Sequence, residues 1–325
     1  MKRSNRRGNP VILIAILILV PVFILSGLQF LESTGLFDKH QDAPIDSKTI
    51  VRDGVSYYPR QDITVILLSG IDTTGPMVDS GSYNNDGQAD MVTLLIFDRT
   101  NKKLDVLALN RDTMLDIPVL GVTGKEAGTV NAQLALAHTY GTGLKDSSQN
   151  LSKAVSNFLY GVQIDYYITM NMDAIGILND AVGGVEVEIT EDFSAIDPTM
   201  TGKVKLNAQQ AQIYLQTRRG LGDQLNTSRM QRQEKYMRAF LTALQSKTEL
   251  DADFLTNLYD SVSPYMVTDC SVKVLSTLSK RFEGFTLGQI ITLKGENKAG
   301  QYMEFHVDED HKDEVILKYL YAPKK

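Results

Sequence analysis

Ile63–Leu68 (ITVILL), Met91–Phe97 (MVTLLIF) and Leu104–Leu109 (LDVLAL) are short apolar runs separated by polar sequence, and they constrain the fold more than any other feature. Each has the length and aliphatic content of a strand buried on both faces. The polar turn Asp98–Lys103 joins the second and third as a hairpin. Their ends carry the chemistry. ITVILL runs into Ser69-Gly70-Ile71-Asp72, Asp90 stands just before MVTLLIF, and LDVLAL gives way abruptly to Asn110-Arg111-Asp112-Thr113. If the first two strands are antiparallel neighbours, Asp72 and Asp90 meet at one sheet edge. Open α/β sheets bind ligands at strand ends, and a guanidinium, a carboxylate and a hydroxyl leaving one strand suit an anionic, oxygen-rich ligand. The alternatives are structural: an Arg111–Asp112 pair pinning a turn, Asp72 as a turn former and Asp90 as a strand cap.

Downstream, Asn131–Tyr140, Leu151–Tyr160, Asp173–Ala181 and Ser228–Ser246 have helical composition, while Gln163–Met170 and Val185–Ile189 read as strands. Asn207-Ala208-Gln209-Gln210 matches a capping box that opens a helix running to about Thr217. Thr73–Gln88 and Gly121–Gly128 are glycine-rich loops. Beyond residue 246 the expectations are helices near Asp251–Ser261 and Ser271–Leu278, a strand at Tyr302–Val307 and a last helix near Asp310–Tyr321. Alternating strands and helices with one antiparallel hairpin predict a three-layer α/β sandwich with a mixed central sheet.

The N-terminus adds a membrane element. Met1–Asn9 carries Lys2, Arg3, Arg6 and Arg7 without an acid, and Pro10–Leu31 is almost uninterrupted apolar sequence, close to the ~20 residues that cross a bilayer. The flanking charges place the N-terminus in the cytoplasm and the rest outside. A cleaved signal peptide is the competing reading, but no small-x-small site follows the run. Without the four tail cations, 29 basic residues face 39 acidic ones, a net −10, which argues against nucleic-acid binding. A single cysteine, Cys270, excludes an internal disulfide.

Cations that matter must therefore be concentrated locally, and Thr217–Gln233 concentrates them. Arg218 and Arg219 follow one helix; Arg229, Arg232 and Gln233 share spacing i, i+3, i+4 at the start of the next. Arginines oppose the dipole at a helix N-terminus unless an anion sits there, and their fork suits phosphate. A solvated basic face is the alternative. The four histidines show no metal-ligand spacing, and the chain has no nucleophile elbow, P-loop or G-x-G-x-x-G. Tyr166 and Tyr167 could line a sugar or lipid site, with sheet packing as the default.

In order, ILLSGID (66–72), QADMVTLLIFD (88–98), LNRDTMLDIPVLG (109–121), VNAQLALAHTYG (130–141), GVQIDYYITMNMDAI (161–175), DAVGGVEVEI (180–189), LNAQQAQIYLQTR (206–218) and SRMQRQ (228–233) together resemble the LytR–CpsA–Psr family of Gram-positive envelope enzymes. The resemblance implies transfer of a phosphoglycan, such as a teichoic acid or capsular polymer, from a polyprenyl-pyrophosphate carrier to peptidoglycan. It also implies Mg²⁺ on Asp72 and Asp90, and a pyrophosphate held by Arg111, Arg218, Arg229, Arg232 and Gln233, with Arg219 as partial compensation and Asp112 beside Arg111. The lipid tail would lie in an apolar tunnel between sheet and helices. Three positions depart from the family pattern: Gln88-Ala89-Asp90 stands for R-S-D, Gln216 for the first Arg of R-x-R, and Thr129 for the Lys of K-I-N-A. The expected organisation is a cytoplasmic tail (1–9), a membrane helix (10–31), an extracytoplasmic stalk (32–60) with room for a short strand near Ile50–Tyr58, a catalytic domain (61–245) and a C-terminal α/β extension (246–325). A non-catalytic lipid-pyrophosphate or wall-polymer binding protein, or a pyrophosphatase acting on the same lipid, are the rival functions.

Overall fold

The computed structural model describes residues 49–324 except 218–225, 251–253, 271–273, 275–276, 279–280, 283–284 and 301. The expected tail, membrane helix and first part of the stalk lie outside the described residues, as do Arg218 and Arg219.

A hairpin of β1 (Ile50–Arg52) and β2 (Val55–Pro59) leads into β3 (Ile63–Ile71), β4 (Ala89–Asp98) and β5 (Lys103–Leu109). A second hairpin, β6 (Met114–Leu120) and β7 (Glu126–Gln133), continues through a 3-10 turn at Leu134–His138 into α1 (Lys145–Phe158). Next come β8 (Tyr166–Asn171), α2 (Met172–Ala181), the hairpin β9 (Val185–Ile189) and β10 (Gly202–Leu206), α3 (Ala208–Gln216) and α4 (Asn226–Leu250). The chain closes with α5 (Phe254–Val262), β11 (Met266–Thr268), β12 (Thr286–Thr292), the hairpin β13 (Gly295–Ala299) and β14 (Met303–Val307), α6 (Glu309–Tyr319) and β15 (Tyr321–Pro323).

The three apolar runs sit together in a six-stranded mixed sheet of order β11-β8-β3-β4-β5-β12. β4 is antiparallel to both β3 and β5, whereas β8 and β12 add parallel to β3 and β5. The strands alternate their side chains between two cores, as pleating requires. Val65, Leu67, Leu94 and Ile96 pack on one face with Leu151 and Val155 of α1 and Ile316 of α6. Ile66, Leu68, Leu95 and Phe97 pack on the other with Leu278, Phe282 and Phe285, where Phe97 stacks on Phe282 at 4.0 Å between ring centroids. A third core joins α2, α3 and α4 to β9 and β10. The result is a mixed α/β fold with apolar cover on both faces of a mixed sheet, and the capping box expected at Asn207 is present. Asn207 and Gln210 form the full capping box, and Asn171 caps α2 through Asp173 and Ala174.

Two expectations change. Asn131–Tyr140 is not one helix: residues up to Gln133 complete β7, which pairs with β6 from Met114↔Gln133 to Leu120↔Glu126, and only a 3-10 turn follows. Cross-strand pairing has overridden local helical composition. The single short strand expected near Ile50–Tyr58 is instead a hairpin, in which Asp53 and Gly54 take positive φ (51° and 76°), the two-residue turn that Asp-Gly favours, and β2 pairs on its other side with β15.

Candidate functional site

β3, β5 and β8 all end at the sheet edge where β4 begins, so Asp72, Asp90, Arg111 and Asn171 are delivered there together. The antiparallel register puts Ile71 opposite Ala89, and Asp72 closes the edge by donating its N–H to Gln88 O (3.0 Å) and accepting from Gln88 N on Oδ1 (2.6 Å). Between Gly70↔Met91 and Ile71↔Ala89 the register slips by one residue, which leaves Asp90 as the extra residue of a β-bulge. Bulges re-aim side chains, and this one turns Asp90 toward two guanidiniums. Arg111 forms an ion pair with Asp90 Oδ1, while Arg229 donates from Nη1 to Oδ2 (3.1 Å) and from Nη2 to the Asp90 carbonyl (3.0 Å).

Asp112 lies behind Arg111 at 1% exposure, with Oδ1 3.4 Å from Arg111 Nε. The Asp72 pKa is raised by desolvation, against the pull of the Gln88 N–H and of the Arg111 and Arg229 charges. Asp72 and Asp90 bring two hard-oxygen carboxylates to one sheet edge, where Asp90 is engaged by Arg111 and Arg229. Among the described residues no group of three His, Cys, Asp or Glu side chains forms, so a cation here would complete its shell with water or phosphate oxygens. That donor set fits Mg²⁺.

Asp90 also lies at the wall of an apolar cavity, partly open to solvent, between the sheet edge and α2, α3 and α4. Met91, Met170, Met172, Met237, Tyr236 and Phe240 supply much of its lining, and Gln216 and Gln233 are among its few polar groups. Methionine adapts to flexible apolar ligands. Charged groups at one end of an apolar cavity suit an amphiphile with an anionic head.

The loop Thr73–Gln88, which carries the chain from Asp72 to Asp90, is tied down at both ends. Gly75 N donates to Asp173 Oδ2 (2.7 Å), and the Asn85 amide donates to the carbonyls of His138 (3.0 Å) and Gly141 (2.8 Å). His138, 1% exposed, donates from Nδ1 to Gly87 O (2.9 Å), and burial lowers its pKa from 6.5 to about 4. Between those values the unfolded chain binds a proton that the native imidazole excludes, so this stability is complete above pH 6.5 and is lost as the pH falls toward 4. The expected slope is up to ~1.4 kcal/mol per pH unit. Urea unfolding from pH 7 to 5 should show it in the native chain and show it absent in His138→Asn, whose amide retains the bond to Gly87. Equal slopes would remove His138 as the source.

The family model named LytR_cpsA_psr matches residues 31–318. The chain belongs to the LytR–CpsA–Psr family. An uncharacterized Staphylococcus aureus protein is 24% identical over 279 residues, 82% of this chain and 64% of its own length. The Bacillus subtilis polyisoprenyl-teichoic acid–peptidoglycan teichoic acid transferase TagV is 24% identical over 294 residues, 87% of this chain and 69% of its own length. The matches thus span about two thirds of the length of these two relatives. Among solved structures, protein gbs0355 of Streptococcus agalactiae superposes with a TM-score of 0.64 at 22% identity, covering 78% of this chain and 86% of that one. At that identity the likeness shows the fold alone.

Within this family fold, the residues singled out from the sequence divide. Asp72, Asp90, Arg111, Asp112 and Arg229 gather at one edge, and Gln233 lines the cavity beside them while donating to Leu215 O (3.4 Å). Arg232, which shares their sequence spacing, turns elsewhere. Its Nε donates to Tyr214 O (2.9 Å), Nη1 to Glu191 Oε1 (3.2 Å) and Nη2 to Thr217 O, and its guanidinium lies 5.7 Å from the centre of the Phe193 ring. Of the departures from the family pattern, Gln216 donates to Met172 Sδ (2.9 Å) and Thr129 lies in β7 opposite Pro118. Tyr167 is core, 3% exposed. The methionines of the cavity had no sequence signal beyond ordinary core composition.

Proposed function

We propose that this chain is a membrane-anchored phosphotransferase that moves a phosphoglycan from a polyprenyl-pyrophosphate carrier to peptidoglycan. The observation that carries the reading is Asp90, held between Arg111 and Arg229 at the wall of an apolar cavity. The prenyl chain occupies the cavity and the diphosphate lies at the sheet edge. Arg111 and Arg229 exchange Asp90 for phosphate oxygens, because a guanidinium fork pairs with either. Mg²⁺, when held by Asp72 and Asp90, would supply further neutralisation of the diphosphate. The domain sits outside the cell, tethered by residues 10–31, where carrier lipid and peptidoglycan are both within reach.

A peptidoglycan hydroxyl attacks the glycan-side phosphorus in line, and the bond from that phosphorus to the bridging oxygen breaks. Polyprenyl phosphate leaves with the hydroxyl proton, and the glycan is joined through a phosphodiester. Positioning and charge neutralisation supply most of the rate in such transfers. The names of teichoic acid transferases among the relatives support this reaction class. The test is the full chain in detergent with Mg²⁺, a polyprenyl-pyrophosphate-linked glycan and a peptidoglycan oligosaccharide, read by mass spectrometry. A joined product that disappears in Asp90→Ala is the expected result. Glycan phosphate released without joining would make the chain a pyrophosphatase, and lipid bound without turnover would make it a binding protein.

A further inference from the structure

We infer that Gln133, together with the C-terminal hairpin β13–β14, is a positioning device for Arg111; this rests on the reading of Arg111 as a group that grips the diphosphate. Arg111, Asp112 and Thr113 form the turn that leaves β5, and two distant segments fix it. From one side Ala135 N donates to Arg111 O (2.9 Å) and Leu134 N to Thr113 O (2.8 Å). From the other, Phe305 N of β14 donates to Asp112 O (2.8 Å), and Thr113 bridges to Phe305 in parallel.

Gln133 joins these supports to the side chains. It stands at the last position of β7, opposite Met114, and its Nε2 donates to Met303 O (2.6 Å) and to Asp112 Oδ1 (3.2 Å). A carboxamide has two N–H groups, so Gln133 can satisfy both acceptors at once. The acceptors belong to segments far apart in the chain, Met303 being 170 positions from Gln133. The same Asp112 Oδ1 lies 3.4 Å from Arg111 Nε. Gln133 therefore holds the carboxylate at the orientation from which it directs the Arg111 side chain toward Asp90. A fork-shaped guanidinium is only useful when aimed, and its aim here is set from residues 303–305 through one amide. This gives the hairpin at the C-terminal end of the fold a task at the opposite end of the chain's active turn.

The test compares Gln133→Met, which keeps the side-chain length and removes both donors, with Gln133→Lys, which restores donation through an ammonium. In the transfer assay Gln133→Met should lower kcat by roughly ten- to hundredfold, the scale of a lost orienting contact, with KM for the lipid unchanged within about twofold because the cavity still holds the tail. Gln133→Lys should recover most of kcat. Added to Arg111→Ala, Gln133→Met should cause little further loss. A separate readout uses no turnover: in arginine-labelled protein the Arg111 Nε–H should exchange with solvent faster in Gln133→Met, while far-UV circular dichroism confirms folding. Failure of the transfer reading would leave this exchange result intact. Unchanged kcat and exchange in a folded Gln133→Met variant, or losses that multiply with those of Arg111→Ala, would overturn the inference.

Discussion

Replacing Arg111 by alanine is expected to lower kcat by roughly 10²–10³-fold, the scale of a removed donor to developing negative charge, with a smaller rise in the KM for lipid. The division follows from the geometry. Ground-state binding of a prenyl chain draws on the apolar walls around Met91, Met170 and Met237, a lining that does not include Arg111. The guanidinium instead faces Asp90 at the sheet edge, where the transferred phosphoryl group gathers charge in the proposed reaction. Loss of a transition-state interaction lowers kcat, whereas loss of uniform binding raises KM. Arg111→Lys should recover little, because a point charge cannot reproduce a fork that reaches Asp90 through Nη1 and Asp112 through Nε. A variant that kept kcat and lost only lipid affinity would assign Arg111 to binding alone.

The second large effect concerns stability. Arg232→Met should destabilise the fold by about 2–4 kcal/mol, the range expected when charge-assisted bonds in a buried site are removed. Arg232 is 1% exposed and its donors reach the carbonyls of Tyr214 and Thr217, at the end of α3, as well as Glu191. Helix-terminal carbonyls have no partner within their own helix, and a guanidinium is the strongest cap available to them. Glu191 lies nearer the surface, with its side chain 17% exposed, and can regain water, which keeps the cost below that of stranding a deeply buried ion. Urea unfolding of the full chain measures the loss. A variant as stable as the native chain but defective in binding pyrophosphate would instead return Arg232 to the ligand site.

Arg229 and Arg232 illustrate what the sequence could and could not convey. Their spacing correctly puts both near one side of α4, yet on a helix three positions still differ by about 60° of rotation. That angle suffices to send one side chain to Asp90 and the other to the end of α3. The strands themselves were plain, since ITVILL, MVTLLIF and LDVLAL have no competing use, and their ends located Asp72, Asp90 and Arg111. The capping box at Asn207 was equally legible because it is a local device. What stayed hidden depends on distant pairing. β6 contains Asp116 and Pro118, which disrupt any strand pattern, but its partner β7 satisfies it in a two-stranded ribbon where a missing N–H is tolerated. The bulge at Asp90 exists only in the register between β3 and β4. The polar segment Gly295–Ala299 becomes a strand only because Met303–Val307 lies beside it.

The sheet formed by β1, β2 and β15 has a mechanical consequence. β2 is antiparallel to both neighbours, and Tyr57 faces Ile50 on one side and Pro323 on the other, so the two ends of the described fold stand about 10 Å apart, two strand spacings. A pull applied between them acts across the hydrogen bonds of this small sheet rather than along its strands. Such a load opens bonds one after another, and β1 and β15 peel away before tension reaches the six-stranded sheet. At the C-terminal side the bond from Lys324 N to Ser56 O (2.8 Å) is met first, and Tyr321, 2% exposed and bonded through its hydroxyl to Tyr160 O (2.7 Å), is a deeper latch. The edge that carries Asp72, Asp90 and Arg111 lies at the far end of β3, outside the path of the force.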